Sequence, residues 1–242
     1  MRVCIWKWLA IPSAVGDAAR MDAPVPPPHP AWFDALVVDV ERAFEVAGPS
    51  TPGWEDPHPD RDPPPEKYSQ CSDPGKYAII HARVAAWVQV LADRNMATAT
   101  EVAPQPWLDA LRPPELLART LCLLPRVPGG ITLVLASTLV DGQVFGLDVG
   151  LSKQGRTVVV DTVPDCGCDA CDSGSADLLR TVDGWVLTAA RGGVLHARRG
   201  ASNITRTLDG WKGTGSHPEE SWLDGSLPNP PGVERWAGSA WE

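Results

Sequence analysis

Between Ile131 and Val163 the chain reads ITLVLASTLVDGQVFGLDVGLSKQGRTVVVDTV. Three β-rich runs are separated by two tight-turn signals. Asp141-Gly142 is the two-residue pattern of a hairpin turn whose central residues need positive φ. Lys153-Gln154-Gly155 marks a second turn. Strands joined by connections this short predict an antiparallel meander. In the middle run Val144, Gly146 and Asp148 fall on one side, and Phe145, Leu147 and Val149 on the other. This block rules out an all-helical fold and requires something apolar to cover at least one of its faces.

The preceding half reads differently. Ala31–Gly48 (AWFDALVVDVERAFEVAG) has Trp32, Leu36, Asp39, Val40, Ala43, Phe44 and Ala47 at helical spacing, with Gly48 as the stop. Asp73 and Pro74 predict the start of a second helix through Arg94, with Ile80, Val84, Trp87 and Leu91 as its buried stripe. Residues 107–124 predict two further short helical pieces broken by Pro113-Pro114, with Cys122 as a small core residue. Residues 49–66 hold seven prolines and five acidic residues, which predicts an exposed, partly disordered loop. After the meander come a helix from about Ala176 to Arg191, with Ser175 as its N-cap, and strands at 194–199 and 204–208.

The expected fold is therefore α+β: N-terminal helices packed on an antiparallel β-meander, followed by a Cys-rich loop, a helix and further strands. Residues 1–30 are an extension and Pro-rich lead, 31–210 a single domain, and 211–242 a Trp-rich segment partly docked on it, because four tryptophans are an unusual outlay for a free tail. The start MRVCIWKWLAIPSAVGDAAR is interrupted by Lys7 and Pro12, which argues against an export signal. Met21 leads directly into the first helix and is the expected native start.

Charge narrows the partners. The formal net charge is −9. Phosphate binding needs clustered Lys and Arg, so no nucleic acid is expected, and no run of apolar residues is long enough to cross a membrane as a helix. A protein partner remains compatible. Six cysteines in a chain of 242 residues without an export signal predict reduced thiols and a cytoplasmic location rather than a disulfide framework.

Three of those cysteines fall together in PDCGCDACDSGSADLL, residues 164–179. Cys168 and Cys171 form a C-x-x-C, which lets two sulfurs address one centre from a tight turn. Cys166 shares a face with Cys168 on an extended backbone. Cys166, Cys168 and Cys171 are the candidate metal ligands, with zinc as the ion. A fourth ligand is open among Asp165, Asp169 and Asp172 nearby and Cys71, His81 and His196 elsewhere. A second reading is a thiol-dependent redox protein using the C-x-x-C pair. The helix near Ser175 would lower the Cys171 pKa, while the aspartates would raise it. A third is a turn whose small residues merely fit. Zinc-deaminase chemistry is excluded, because His81-Ala82-Arg83 puts Arg where that mechanism needs Glu.

The CGCDACDSGS run at Cys166–Ser175, followed by an apolar helix and by Val194-Leu195-His196, resembles a bacterial family of unknown function that has this run as its hallmark. The hallmark matches without a departure. Looser similarity runs from the helix around Trp87 to the Trp-rich C-terminus and leaves out the first thirty residues. The resemblance implies a meaningful cysteine constellation and no particular activity. The expected function is a non-enzymatic intracellular module with a metal-binding Cys-rich loop.

Overall fold

The computed structural model describes residues 30–48, 51–216, 218–226 and 228–242. The expected extension, the Met21 start and nearly all of the Pro-rich lead lie outside the described residues. Within them the fold is α+β, with three α-helices and two antiparallel sheets.

The first sheet is a five-stranded meander in sequential order: β1 (Ala97–Val102), β2 (Leu117–Pro125), β3 (Thr132–Val140), β4 (Gln143–Lys153) and β5 (Arg156–Val163). Both central turns have the backbone that their residues favour. Asp141 and Gly142 lie at φ 50° and 78°, Gln154 and Gly155 at 51° and 77°. That double positive φ matches the strand twist and fixes the register.

One face of the meander carries Leu133, Leu135, Phe145, Leu147, Val149 and Leu151 into the main core. Helix α2 (Ala78–Asp93) brings Ile80, Val84, Trp87 and Leu91 to that core, all buried. Helix α1 (Ala31–Ala47) packs on α2 through Phe33, Leu36 and Val40, and α3 (Ser175–Ala190) adds Val182, Trp185 and Val186. A buried cation ties the three helices together. Arg83 of α2 donates to Asp183 of α3 at 2.8 and 2.7 Å and to Glu41 of α1 at 2.6 Å.

Residues 107–124 are not helical, which corrects the expectation for that segment. A short 3-10 turn (Pro114–Leu116) leads into strand β2. ELLARTLCLL is rich in helix formers, but as a strand it pairs with both β1 and β3 and sends Leu121 and Leu123 into the core. Tertiary pairing overrides local propensity here. Strand β1, ATATEV, has no expected counterpart; it is mostly exposed, so burial left no pattern in it. The segment before β2 covers the far face of the sheet. Trp107 packs there with Val134 and Ala136, and Cys122 lies half-buried beside them. The carboxylate of Asp148 is buried on the same face, held by Arg112 at 2.7 Å and Thr162 at 2.9 Å.

The second sheet has the order β8-β7-β6-β9, from β6 (Leu195–Arg199), β7 (Ser202–Thr207), β8 (Gly210–Thr214) and β9 (Glu234–Ala237). Trp222 is fully buried beneath it with Leu195, Ile204 and Val233. Trp236 donates to the Arg156 carbonyl at 3.1 Å and Trp241 to the Ile131 carbonyl at 3.2 Å, tying the C-terminal segment to the meander. Trp211 remains exposed. No described helix is long and apolar enough to cross a membrane.

Candidate metal centre

The cysteine loop bridges the last meander strand and α3. The chain leaves β5 at Val163, with a cis peptide to Pro164. Asp165 accepts a hydrogen bond from the Cys166 amide at 2.7 Å. Gly167 then lies directly on the Phe145 ring, so close that an added Cβ would fall 2.2 Å from Cζ. Cys168 is extended, and Asp169–Cys171 form one 3-10 turn in which the Cys171 amide donates to the Cys168 carbonyl at 3.1 Å. Extended backbone followed by a tight turn is what C-G-C-x-x-C permits, and it brings the three side chains together.

The result is a triad. The Sγ atoms of Cys166, Cys168 and Cys171 all lie within 4.8 Å of one another. Cys166 and Cys168 are 3.3 Å apart. Tetrahedral zinc with Zn–S near 2.3 Å has S···S edges of about 3.8 Å, so no edge of the triangle needs to change by more than about 1 Å to hold such an ion. Cys166 and Cys168 are half-buried and Cys171 is exposed.

The three thiols are electrically unequal. Burial raises the Cys166 pKa. At Cys168 burial works the same way, but hydrogen bonds from Cys166, Cys171 and nearby amides outweigh it and leave the thiol below its ordinary value. Cys171 is pushed up to about 12 by burial and by its two sulfur neighbours. The Cys171 thiol is thus raised, not lowered as the nearby helix was expected to make it, and the first amide of α3, Ser175 N–H, donates to the Trp54 carbonyl at 3.0 Å.

Ser175 is not an N-cap either. It is the first residue of α3, and Gly174 occupies the cap position at φ 87°. Glycine takes that conformation without steric cost, so the boundary lies one residue earlier than a serine cap would put it. The Ser175 hydroxyl accepts from the Trp54 amide at 3.0 Å and donates to the Trp54 carbonyl at 3.1 Å. It fastens the 51–66 segment to the start of α3. Ser175→Ala should loosen that segment by about 1 kcal/mol, roughly fivefold in local opening. Limited proteolysis timed at residues 51–66 measures this, and an unchanged cleavage rate would contradict the anchoring role.

The aspartates are clamps. Asp172 accepts from Trp54 Nε1 at 2.9 and 3.0 Å, from the Gly174 amide at 3.0 Å, and from Lys76. Asp169 accepts from the Ser72 amide at 2.9 Å, the Ser72 hydroxyl at 2.5 Å and Lys67 at 3.3 Å. Burial opposes charge at both, yet these donors hold both carboxyls below the usual range. Two segments far away in sequence are thereby fixed around the triad, the Trp54 loop and the 65–77 segment. Beneath them runs an aromatic stack: Trp54 edge-on to Tyr77 at 5.9 Å, and Tyr77 against Phe145 at 4.6 Å. Lys76 Nζ lies over Trp54 and Tyr77 at 5.1 and 5.2 Å.

Among the described residues no other candidate ligand joins the triad. His196 is buried in β6, bonded through Nδ1 to Thr205 at 2.7 Å, and burial lowers its pKa to about 4. His81 lies on α2 at 3.3 Å from Ser137. Pro74–Tyr77 form a 3-10 turn ahead of α2, and Asp73 makes no capping bond with its side chain, contrary to its expected role. No sequence signal links Lys67, Ser72 or Trp54 to the cysteine loop, because each contact spans about a hundred residues.

The model of a family of unknown function, DUF6226, matches residues 40–238, and the chain belongs to that family. No curated protein and no solved structure matches it.

Proposed function

We propose that this member of the family is a non-enzymatic intracellular module whose Cys166–Cys168–Cys171 loop binds one zinc ion, which locks the junction between β5 and α3. The observation that carries this reading is the convergence of three Sγ atoms within 4.8 Å of one another. A zinc ion takes the place of the thiol protons, and its positive charge removes the mutual repulsion that opposes ionisation of neighbouring thiols. The acids beside the triad support a structural role, since Asp169 and Asp172 are engaged in holding loops. Lys67 and Lys76 balance part of the negative charge of that pocket. A cytoplasmic location and a protein partner are part of the same proposal.

The test is metal content by plasma mass spectrometry together with thermal unfolding. Wild type should carry about one zinc per chain and gain about 2.7 kcal/mol at free zinc 100-fold above Kd. Cys168→Ser should lose both, while Cys122→Ser, on the far face of the meander, should keep both. Protein without metal whose melting temperature ignores added zinc would overturn the reading. Reversible oxidation of Cys168 with Cys171 in that protein would instead favour the thiol-redox alternative.

A further inference from the structure

Three thiolates leave a tetrahedral zinc one ligand short, and structural sites are closed by four protein ligands. The backbone around the triad already holds a fourth cysteine close by. Cys71 lies in the connection between the 3-10 turns Pro65–Ser69 and Pro74–Tyr77. Its two chain neighbours are both fastened to Asp169, the residue right after Cys168. The Asp169 amide donates to the Gln70 carbonyl at 2.7 Å, and the Ser72 amide donates to the Asp169 carboxylate at 2.9 Å. A third bond, from the Ser72 hydroxyl, and the Lys67 ion pair complete the clamp. Cys71 is thus bracketed against the middle of the C-x-x-C turn.

We propose that Cys71 is the fourth ligand, making the centre a Cys4 zinc site that joins the 65–77 segment to the cysteine loop. The inference rests on the zinc reading above and adds to it the identity of the closing ligand. The Cys71 side chain is exposed, on a short connection between two turns whose backbone is held beside Asp169, and closing the site requires its sulfur to turn inward. Its neighbourhood is shared with the triad: the buried Tyr77 phenol is pushed up first by burial and then by the charges of Asp172, Cys71, Asp169 and Cys166. The other candidates are less well placed. Asp172 and Asp169 already accept several hydrogen bonds each, and displacing them would release Trp54 or the 65–77 segment. A thiolate is also a ligand that zinc accepts readily in structural sites.

The experiment is X-ray absorption on the zinc-loaded full chain, with chelator competition on wild type and Cys71→Ser. Wild type should show four sulfurs at about 2.3 Å. Cys71→Ser should show three sulfurs and one lighter atom, and bind zinc roughly tenfold or more weakly. Hydrogen exchange supplies a second readout. Zinc should slow exchange across residues 65–77 in wild type and not in Cys71→Ser. Three sulfurs in wild type, or unchanged affinity in Cys71→Ser, would overturn the fourth-ligand assignment and leave the three-thiol site standing. A wild-type chain that takes up no zinc would overturn both.

Discussion

Asp183→Ala should destabilise the fold by about 3–5 kcal/mol, the range for removing one partner of a buried ion pair. Arg83 is almost wholly buried on α2, and Asp183 is its main support through two bonds. The same carboxylate accepts from Trp87 Nε1 at 2.6 Å. Alanine would therefore strand a guanidinium and an indole N–H together. Glu41 cannot compensate, because it meets Arg83 at a single atom and its side chain is 57% exposed. Among the described residues Arg83 Nη1 has no hydrogen-bond partner even in the intact cluster. At 2–4 °C per kcal/mol, a fall in melting temperature of roughly 6–20 °C is expected.

The pair Arg83→Met with Asp183→Asn separates the explanation from a general packing defect. It removes both charges, keeps an acceptor for Trp87, and fills the guanidinium site with a side chain of similar length. Replacing a buried ion pair by apolar groups is often close to neutral. The double variant should therefore unfold at a higher temperature than Asp183→Ala alone. Equal losses in the two proteins would mean that the stranded charge is not what costs the stability.

That cluster also marks where sequence reading stops. The stripe Ile80, Val84, Trp87, Leu91 is legible because helical periodicity is a local property. The burial of Arg83 leaves no such local pattern, because it is the packing of α1 and α3 on α2 that encloses it. The meander is legible for the same local reason, since Asp141-Gly142 and Gln154-Gly155 fix the turns whatever surrounds them. Leu117–Pro125 is not. Its leucines satisfy helical and extended patterns alike, and β1 and β3 decide between them. The candidate site divides in the same way. Three thiols converge because they fall within a stretch of six residues, and that spacing is visible. Asp169 and Asp172 read as ligands or as negative neighbours of a thiol, whereas they reach across to Ser72 and Trp54, contacts that no spacing encodes. The Ser175 boundary differs by a single residue because Gly174 holds the positive φ, and a serine in that neighbourhood looks like a cap until its hydroxyl is seen to meet Trp54.

Gly167→Ala should damage the thiol triad without touching a sulfur. A Cβ at residue 167 would lie 2.2, 2.8 and 3.2 Å from three carbons of the Phe145 ring, the first two closer than real contacts come. The ring cannot retreat. Phe145 is 6% exposed and packed against Tyr77, which is fully buried. The loop must lift instead. Residue 167 sits between two of the three cysteines, so lifting it pulls Cys166 and Cys168 out of their 3.3 Å contact. Overpacking of this kind costs about 1–3 kcal/mol, and zinc affinity should fall with it, because a binding site distorted before metal arrives must be restored by the metal. Calorimetric unfolding and chelator competition give the two numbers. Phe145→Leu supplies the control: shortening the ring opens space under residue 167, so Gly167→Ala combined with Phe145→Leu should bind zinc more tightly than Gly167→Ala alone. If Gly167→Ala keeps wild-type stability and wild-type zinc affinity, the loop does not rest on Phe145, and the close approach of backbone to ring is not what brings the three sulfurs together.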